Sequence, residues 1–392
     1  MEQHMKWTMD QVPNLTGKIF VVTGANSGIG FETARACAEH GAHTILACRN
    51  EEKGARAVTQ LNQSHIRGKV ENMKLDLGSL SSISEFANEL LNRHKKIDGL
   101  INNAGIMMPP YQLTVDGFES QFGINHLGHF ALTGLILPAL LTTPNSRIVN
   151  VSSGAHGIGT MDFENLLFTN GKGYSRISGY GRSKLANLLF TKGLQKRLKA
   201  IGSSVIATSA HPGWSSTNLG KGSHLLAGPI ISVFGKLLAQ SSAMGALPTL
   251  RALLDQEALA GDYYGPDGFR ESRGYPIKVS SSKVGSSNVG ANKAGTLKVG
   301  ESKVGTNKLS TLKGGASKVG ATKVDSSKVG ILKDGITQVG VSNLGTLQGG
   351  STQVDSTKVS NTKSGPIKID PTKVCSIEIS SMKVGSTKIG FI

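Results

Sequence analysis

Cysteine is scarce in this chain: Cys37, Cys48 and Cys375 are all there are. So small and odd a set, without metal-ligand spacing, excludes a disulfide scaffold and suits a reducing compartment, so a cytoplasmic protein is expected. The first 14 residues are polar and contain no signal-peptide core. No run of about 18 apolar residues exists, so no transmembrane helix is expected. The longest apolar stretches, 131–141 and 225–238, are short or interrupted.

Arginine is missing from the last part of the chain: all 12 precede residue 278. From there the unit x-x-Lys-Val-Gly recurs in register to Gly390, 23 copies in all. Counted from Pro276, this tail carries 17 Lys and 6 acidic residues, which is +11 of the whole-chain +17. The high pI therefore mostly describes the tail. Its charges are diluted with Ser, Thr, Gly and Val, with almost no aromatics, which argues against specific nucleic-acid binding. Weak adhesion to polyanions is expected instead. Two organisations stay open for it. Too few bulky apolar residues favours a disordered low-complexity extension. Strict short periodicity with one aliphatic per unit, as in Ser302-Lys303-Val304-Gly305, would suit a β-solenoid.

Residues 1–277 read differently, as one large α/β domain followed by the 278–392 tail. Short apolar runs at 18–22, 44–47, 72–75, 100–102, 147–151 and 205–208 alternate with helical patterns at 31–40, 51–61, 81–94, 118–141 and 180–200. Alternation of this kind predicts a doubly wound, mostly parallel sheet of seven strands with helices on both faces. Residues 212–260 break the rhythm. They suit either a pair of helices covering the sheet's end or a lid over an apolar substrate.

The first apolar run ends in Thr23-Gly24-Ala25-Asn26-Ser27-Gly28-Ile29-Gly30. Glycine lets backbone approach a ligand closely, and a helix starting there offers free N–H groups to a pyrophosphate. The second strand ends at Cys48-Arg49, where NAD enzymes of this architecture usually place an acid for the ribose 2′-OH. A guanidinium can hold a 2′-phosphate that an acid would repel, so Arg49 points to NADP(H) over NAD(H). A solvated surface arginine is the bland alternative. Asp76-Leu77, after the third strand, would flank the adenine.

Tyr180-Gly181-Arg182-Ser183-Lys184 carries the candidate chemistry. Residues four apart share a helix face, which brings the Lys184 ammonium beside the Tyr180 phenol. A free phenol titrates near about 10, and a neighbouring cation is expected to lower that value. Ser153 closes the fifth strand and can hold a substrate carbonyl; Ser152 is the neighbouring alternative. Asn125 sits in a long helix despite poor helix propensity, which suggests a specific hydrogen-bonding duty. His126, His129 and His211 read as structural.

These motifs resemble the short-chain dehydrogenase/reductase family over about residues 14–275. The closer likeness is to its retinol dehydrogenase and protochlorophyllide-reductase-like branch, through the glycine turn, Ala47-Cys48-Arg49, Ser183-Lys184-Leu185-Ala186-Asn187 and His211-Pro212-Gly213. Tyr263-Tyr264-Gly265-Pro266 and Arg273-Gly274-Tyr275-Pro276 look like the end segments of soluble microbial members. The resemblance implies that Asn125, Ser153, Tyr180 and Lys184 form a catalytic tetrad. It places Asn103 against the cofactor, and Pro212 and Thr217 near the nicotinamide. The reaction implied is hydride transfer between NADP(H) and a carbonyl or alcohol, on a lipophilic aldehyde, ketone or retinoid-like substrate. A homodimer is compatible with it. The rival class is a non-catalytic nucleotide sensor that recruits partners through its basic tail; the complete Asn-Ser-Tyr-Lys set argues against that. The repeat stands where a last helix would be expected.

Overall fold

The computed structural model describes residues 6–213 and 240–279, together with five short strand segments of the tail. Strands β1 (Ile19–Thr23), β2 (His43–Cys48), β3 (Lys69–Lys74), β4 (Gly99–Asn102), β5 (Arg147–Val151), β6 (Ile206–Ala210), β7 (Tyr263–Pro266) and β8 (Pro276–Val279) form one sheet. Its order is β3-β2-β1-β4-β5-β6-β7-β8. The strands from β3 to β7 run parallel, and β8 lies antiparallel to β7. Among the described residues six helices accompany them: α1 (Gly28–Glu39), α2 (Glu51–Asn62), α3 (Leu80–Arg93), α4 (Ser120–Leu141), α5 (Arg176–Ala200) and α6 (Ser242–Leu254).

Consecutive residues of β1 show the layering. Val22 packs into a core with Ala34 of α1 and Leu247 and Leu250 of α6. Val21 faces the other way, toward Phe86 and Leu90 of α3, Leu132 and Ile136 of α4, and Leu198 of α5. A strand buried on both faces has no polar alternation, which is why these segments read as continuous apolar runs. Because β1 pairs with β2 on one side and β4 on the other, the strand order reverses there. A crevice outside the carboxyl ends of the strands follows at such a reversal.

The sheet has one strand more than the sequence suggests. Pro276–Val279 pairs with β7 as β8, crossing the change of composition at residue 277. Val279 is buried with Leu188 and Tyr263, and Lys278 Nζ lies 2.7 Å from Asp262 Oδ1. An Ile-Lys-Val triplet alternates well enough to pair, so the first repeat unit extends the sheet.

Two other differences concern apolar helices. α4 is long and apolar enough to cross a membrane by composition, contrary to the expectation that no segment is; half of its apolar window is buried inside the protein, as in a core helix. α6 packs on α1 and a face of the sheet, one helix where a pair over the sheet's end is expected from 212–260. Residues 214–239, and with them Thr217 and most of the expected lid, lie outside the described residues. In the tail, β9 (Ser317–Val319), β10 (Thr337–Val339) and β11 (Thr352–Val354) pair in parallel with repeat positions in phase. β12 (Lys383–Val384) and β13 (Thr387–Lys388) form an antiparallel pair. The remaining residues on which disorder and solenoid differ lie outside the described set.

Candidate active site

Parallel pairing puts the carboxyl ends of β1 to β6 on one edge, and nearly all the residues singled out above stand there. The glycine turn leaves β1 with Gly24 at φ +67° and Gly28 at φ +61°, a left-handed backbone that a side chain would strain. The side chains of Asn50, Ser79, Ser175 and Ser241 cap α2, α3, α5 and α6. Ser27 occupies the same position on α1 but makes no such bond. The first-turn amides of Gly28, Ile29 and Gly30 are thus left for a ligand.

Asn103 buttresses this turn. Its Nδ2 donates to Thr23 O at 2.8 Å, and a Cβ on Gly30 would lie 2.4 Å from that nitrogen. Thr23, which sequence reasoning passed over, accepts the N–H groups of Asn103 and Ala104 at 2.9 Å each. Cys48 lies beneath the turn rather than at the ribose. Its sulfur takes the N–H groups of Ala25 and Asn26, and burial pushes its thiol up to about 11. Arg49 follows it, exposed and without a side-chain partner among the described residues. Asp76 Oδ1 accepts from Gly78 N at 2.9 Å, and Leu77 is buried beside it at the end of β3.

Asn125 stands in a π-helical turn, Gly123–Leu127, within α4. Such turns widen a helix by one residue and recur at functional sites. Its Oδ1 accepts from Ile106 N at 2.8 Å, and its Nδ2 donates to Ile106 O at 2.9 Å and Ser183 Oγ at 3.0 Å. The Asn125 carbonyl meets His129 Nδ1 at 3.0 Å, and His129 Nε2 lies 2.9 Å from Thr23 Oγ1. Burial drives the His129 pKa down to about 3, so its ring is neutral. His129 therefore joins the end of β1 to the π turn, the structural role expected of it.

Ser153, Tyr180 and Lys184 come together. Ser153 is hydrogen-bonded to the Tyr180 hydroxyl. Lys184 Nζ donates to Val151 O at 3.2 Å and stands 5.7 Å from the centre of the Tyr180 ring. Ser152, the alternative to Ser153, instead donates to Lys184 O at 2.8 Å and so anchors the helix. The expected lowering of the Tyr180 pKa is not found. Burial raises it, with the Ser153 bond opposing, because Lys184 addresses the ring face and a carbonyl rather than the hydroxyl. Burial also lowers the Lys184 pKa from 10.5 to about 8.

Arg182, inside the same motif, has a role the spacing did not reveal. It donates to Thr160 O, Asn165 O and Leu166 O and stacks 3.8 Å from the centre of Phe168, fixing the loop beside Tyr180. Pro212 follows β6, its carbonyl accepting from Gln240 Nε2 at 2.6 Å.

The sequence profile of the short chain dehydrogenases matches residues 18–224. Mouse retinol dehydrogenase 12 is 45% identical over 258 residues, 65% of this chain and 78% of that protein. A solved structure of an uncharacterized protein from Mycobacterium paratuberculosis shares 41% identity at a TM-score of 0.59, covering 71% of this chain and 91% of that one. A short chain dehydrogenase from Shigella flexneri complexed with NADP shares the fold at 22% identity and a TM-score of 0.51, over 64% of this chain and 98% of that one. The chain belongs to the short-chain dehydrogenase family of oxidoreductases, in its retinol dehydrogenase-like branch.

Proposed function

We propose that the protein is an NADP(H)-dependent oxidoreductase that interconverts a carbonyl and an alcohol on a lipophilic, retinoid-like substrate. One observation carries this reading: Ser153 is bonded to the Tyr180 hydroxyl while the buried Lys184 stands one turn away, at the edge where the uncapped α1 also begins. The glycine turn fits a dinucleotide, since its uncapped amides and the Asn103 buttress form a cradle that added side chains would fill. When bound there, the nicotinamide supplies the hydride.

The chain's own residues do the rest. Ser153 Oγ and the Tyr180 hydroxyl both hydrogen-bond the substrate oxygen and polarise it. Tyr180 is protonated at neutral pH, so it gives its proton to the oxygen as a carbonyl is reduced and takes one back in the reverse direction. Lys184, charged below about pH 8, holds the Val151 carbonyl at the end of β5 and stands over the Tyr180 ring. Asn125 holds the segment after β4 against α5 and keeps Lys184 in place. Exposed Arg49 takes the 2′-phosphate, which sets NADP(H) above NAD(H). Asp76 and Leu77 border the adenine, and Pro212 the nicotinamide. Cys37 and Cys48, both free and buried, suit a reducing, cytoplasmic setting.

Oxidation of NADPH by full-length protein, followed at 340 nm across aldehydes and ketones including all-trans-retinal, tests the proposal. Turnover on at least one apolar carbonyl is expected. Cofactor binding without turnover on any member of the panel would point to a nucleotide sensor and overturn it.

A further inference from the structure

The amino-terminal edge of the sheet, remote from the candidate active site, gathers three metal-ligating side chains that no spacing along the chain connects. His43 opens β2, Glu71 lies within β3, and His94 follows the last residue of α3. The β2–β3 register sets His43 opposite Lys69 and Ile45 opposite Glu71. Alternate residues share a face, and Ile45 and Met73 point into the α3 side of the core. His43 and Glu71 therefore emerge on that side, where α3 delivers His94.

The three donor atoms all lie within 4.8 Å of one another. Glu71 Oε1 is 2.9 Å from His43 Nε2 and 3.3 Å from His94 Nε2. The imidazole rings meet edge-on, their centres 5.1 Å apart. His43 Nε2 is buried and has no hydrogen bond of acceptable angle, although a carboxylate oxygen is so close. A donor atom so placed is unsatisfied unless something sits between it and its neighbours. Metal–nitrogen and metal–oxygen bonds of about 2.0–2.2 Å at tetrahedral angles separate ligand atoms by roughly 3.3–3.5 Å. Two of the three separations are already at or below that span.

The surroundings select the metal. The other oxygen of Glu71 is held by Arg93 Nη1 at 3.4 Å, which orients the carboxylate as outer partners of metal ligands do. Lys69 and Arg93, the latter also paired with Glu89, are the neighbouring cations, and Glu71 is the one carboxylate among the three donors. Hard oxygen-seeking ions such as Mg²⁺ and Ca²⁺ need more carboxylate than this. Borderline ions that bond to neutral imidazole do not.

We propose that His43, Glu71 and His94 form a zinc-class metal site, completed by water, that ties the end of α3 to β2 and β3. The site is separate from the chemistry at the opposite edge, so its metal acts on stability rather than turnover.

The test uses chelator-treated full-length protein. Calorimetric titration with ZnCl₂ is expected to show one equivalent bound with a Kd below about 100 μM. Zn²⁺ at 100-fold over Kd should raise the melting temperature by about 5 °C, and Mg²⁺ should not. His94→Gln and Glu71→Gln should each weaken binding at least about tenfold. On the unaltered chain, Zn²⁺ should protect His43 and His94 from diethyl pyrocarbonate, as located by mass spectrometry, which keeps the test valid even where a variant folds poorly. Equal zinc affinity in parent and variants, equal labelling of both histidines with and without zinc, or no binding below that concentration would each overturn the site.

Discussion

Asn125 gives one proton of its side-chain amide to Ser183 Oγ at 3.0 Å, while Ser183 gives its own to Tyr180 O at 2.8 Å. The direction of both bonds is thereby fixed: Ser183 can only accept from Asn125. The other amide proton goes to Ile106 O. Asn125→Asp keeps the shape but removes both donors, leaving two acceptors facing a carboxylate in a buried site. Each orphaned group costs about 1–3 kcal/mol. Asn125→Asp should therefore melt at least about 5 °C below the parent and below Asn125→Ala. Equal melting of parent and Asn125→Asp would show that these bonds do not hold the π turn.

Tyr180→Phe keeps the ring and removes the proton. Loss of general acid–base catalysis typically costs 10²-fold or more, so kcat should fall by at least about that factor with cofactor affinity little changed. More than about a tenth of parental kcat remaining would sink the assignment. Because burial raises the Tyr180 pKa, the phenol stays protonated through neutral pH. Carbonyl reduction should hence hold steady at neutral pH and decline in alkali, whereas alcohol oxidation, which needs the deprotonated phenol, should climb with pH. Profiles of kcat measured in both directions check the sign.

Arg49→Ala should weaken NADPH by roughly 10- to 100-fold, the worth of a charge-assisted contact of about 1.5–3 kcal/mol, and leave NADH nearly unchanged. Fluorescence titration with each cofactor decides it. Equal losses for both would remove Arg49 from the 2′-phosphate.

Lys184 is held at a cost to the fold. Its folded pKa of about 8 lies below the ordinary 10.5, so the unfolded chain binds the proton more tightly between those values. Stability from this group rises as pH climbs from 8 to 10.5, and the full penalty is present below 8, on the order of 3 kcal/mol. Lys184→Met removes the buried charge at similar length, and Val151 O keeps its second donor, Asn187 Nδ2, at 3.1 Å. The variant should melt several degrees higher at pH 7 while losing activity. A lower melting temperature would mean that the lysine's packing and hydrogen bond outweigh its desolvation.

What could be read from the sequence depended on how local the cause was. The glycine turn, the Tyr180–Lys184 pair and the alternation of strands and helices are set by neighbours along the chain, so spacing alone brought them out. The bond of Cys48 to the turn, the span from Thr23 through His129 to Asn125, and the reach of Arg182 into the 160–168 loop depend on which strands lie side by side. The π turn is a departure from the helical period that apolar patterning does not register. The sign of the Tyr180 shift was missed because spacing gives the distance between two residues and says nothing about how much water surrounds them.

β8 sets where the tail can be cut. Pro276 accepts from Arg251 Nη1 at 2.6 Å, Lys278 pairs with Asp262, and Val279 is buried, so the sheet reaches at least to residue 279, past 277. A chain ending at Ser280 should fold, bind NADPH and turn over like the full length. One ending at Tyr275 loses β8, which bares the edge of β7 and leaves Asp262 without Lys278. Exposing Val279's partners Leu188 and Tyr263 costs about 25 cal/mol per Å² of apolar surface, so this chain should melt several degrees lower and aggregate more readily. The tail's charge should appear elsewhere, as heparin retention that the full length shows, that fades as salt rises, and that the Ser280 form lacks. Insolubility of the Ser280 form beside a soluble full length would show that later repeats also complete the fold; a cooperative β-type melt of the isolated repeat would make it a domain in its own right.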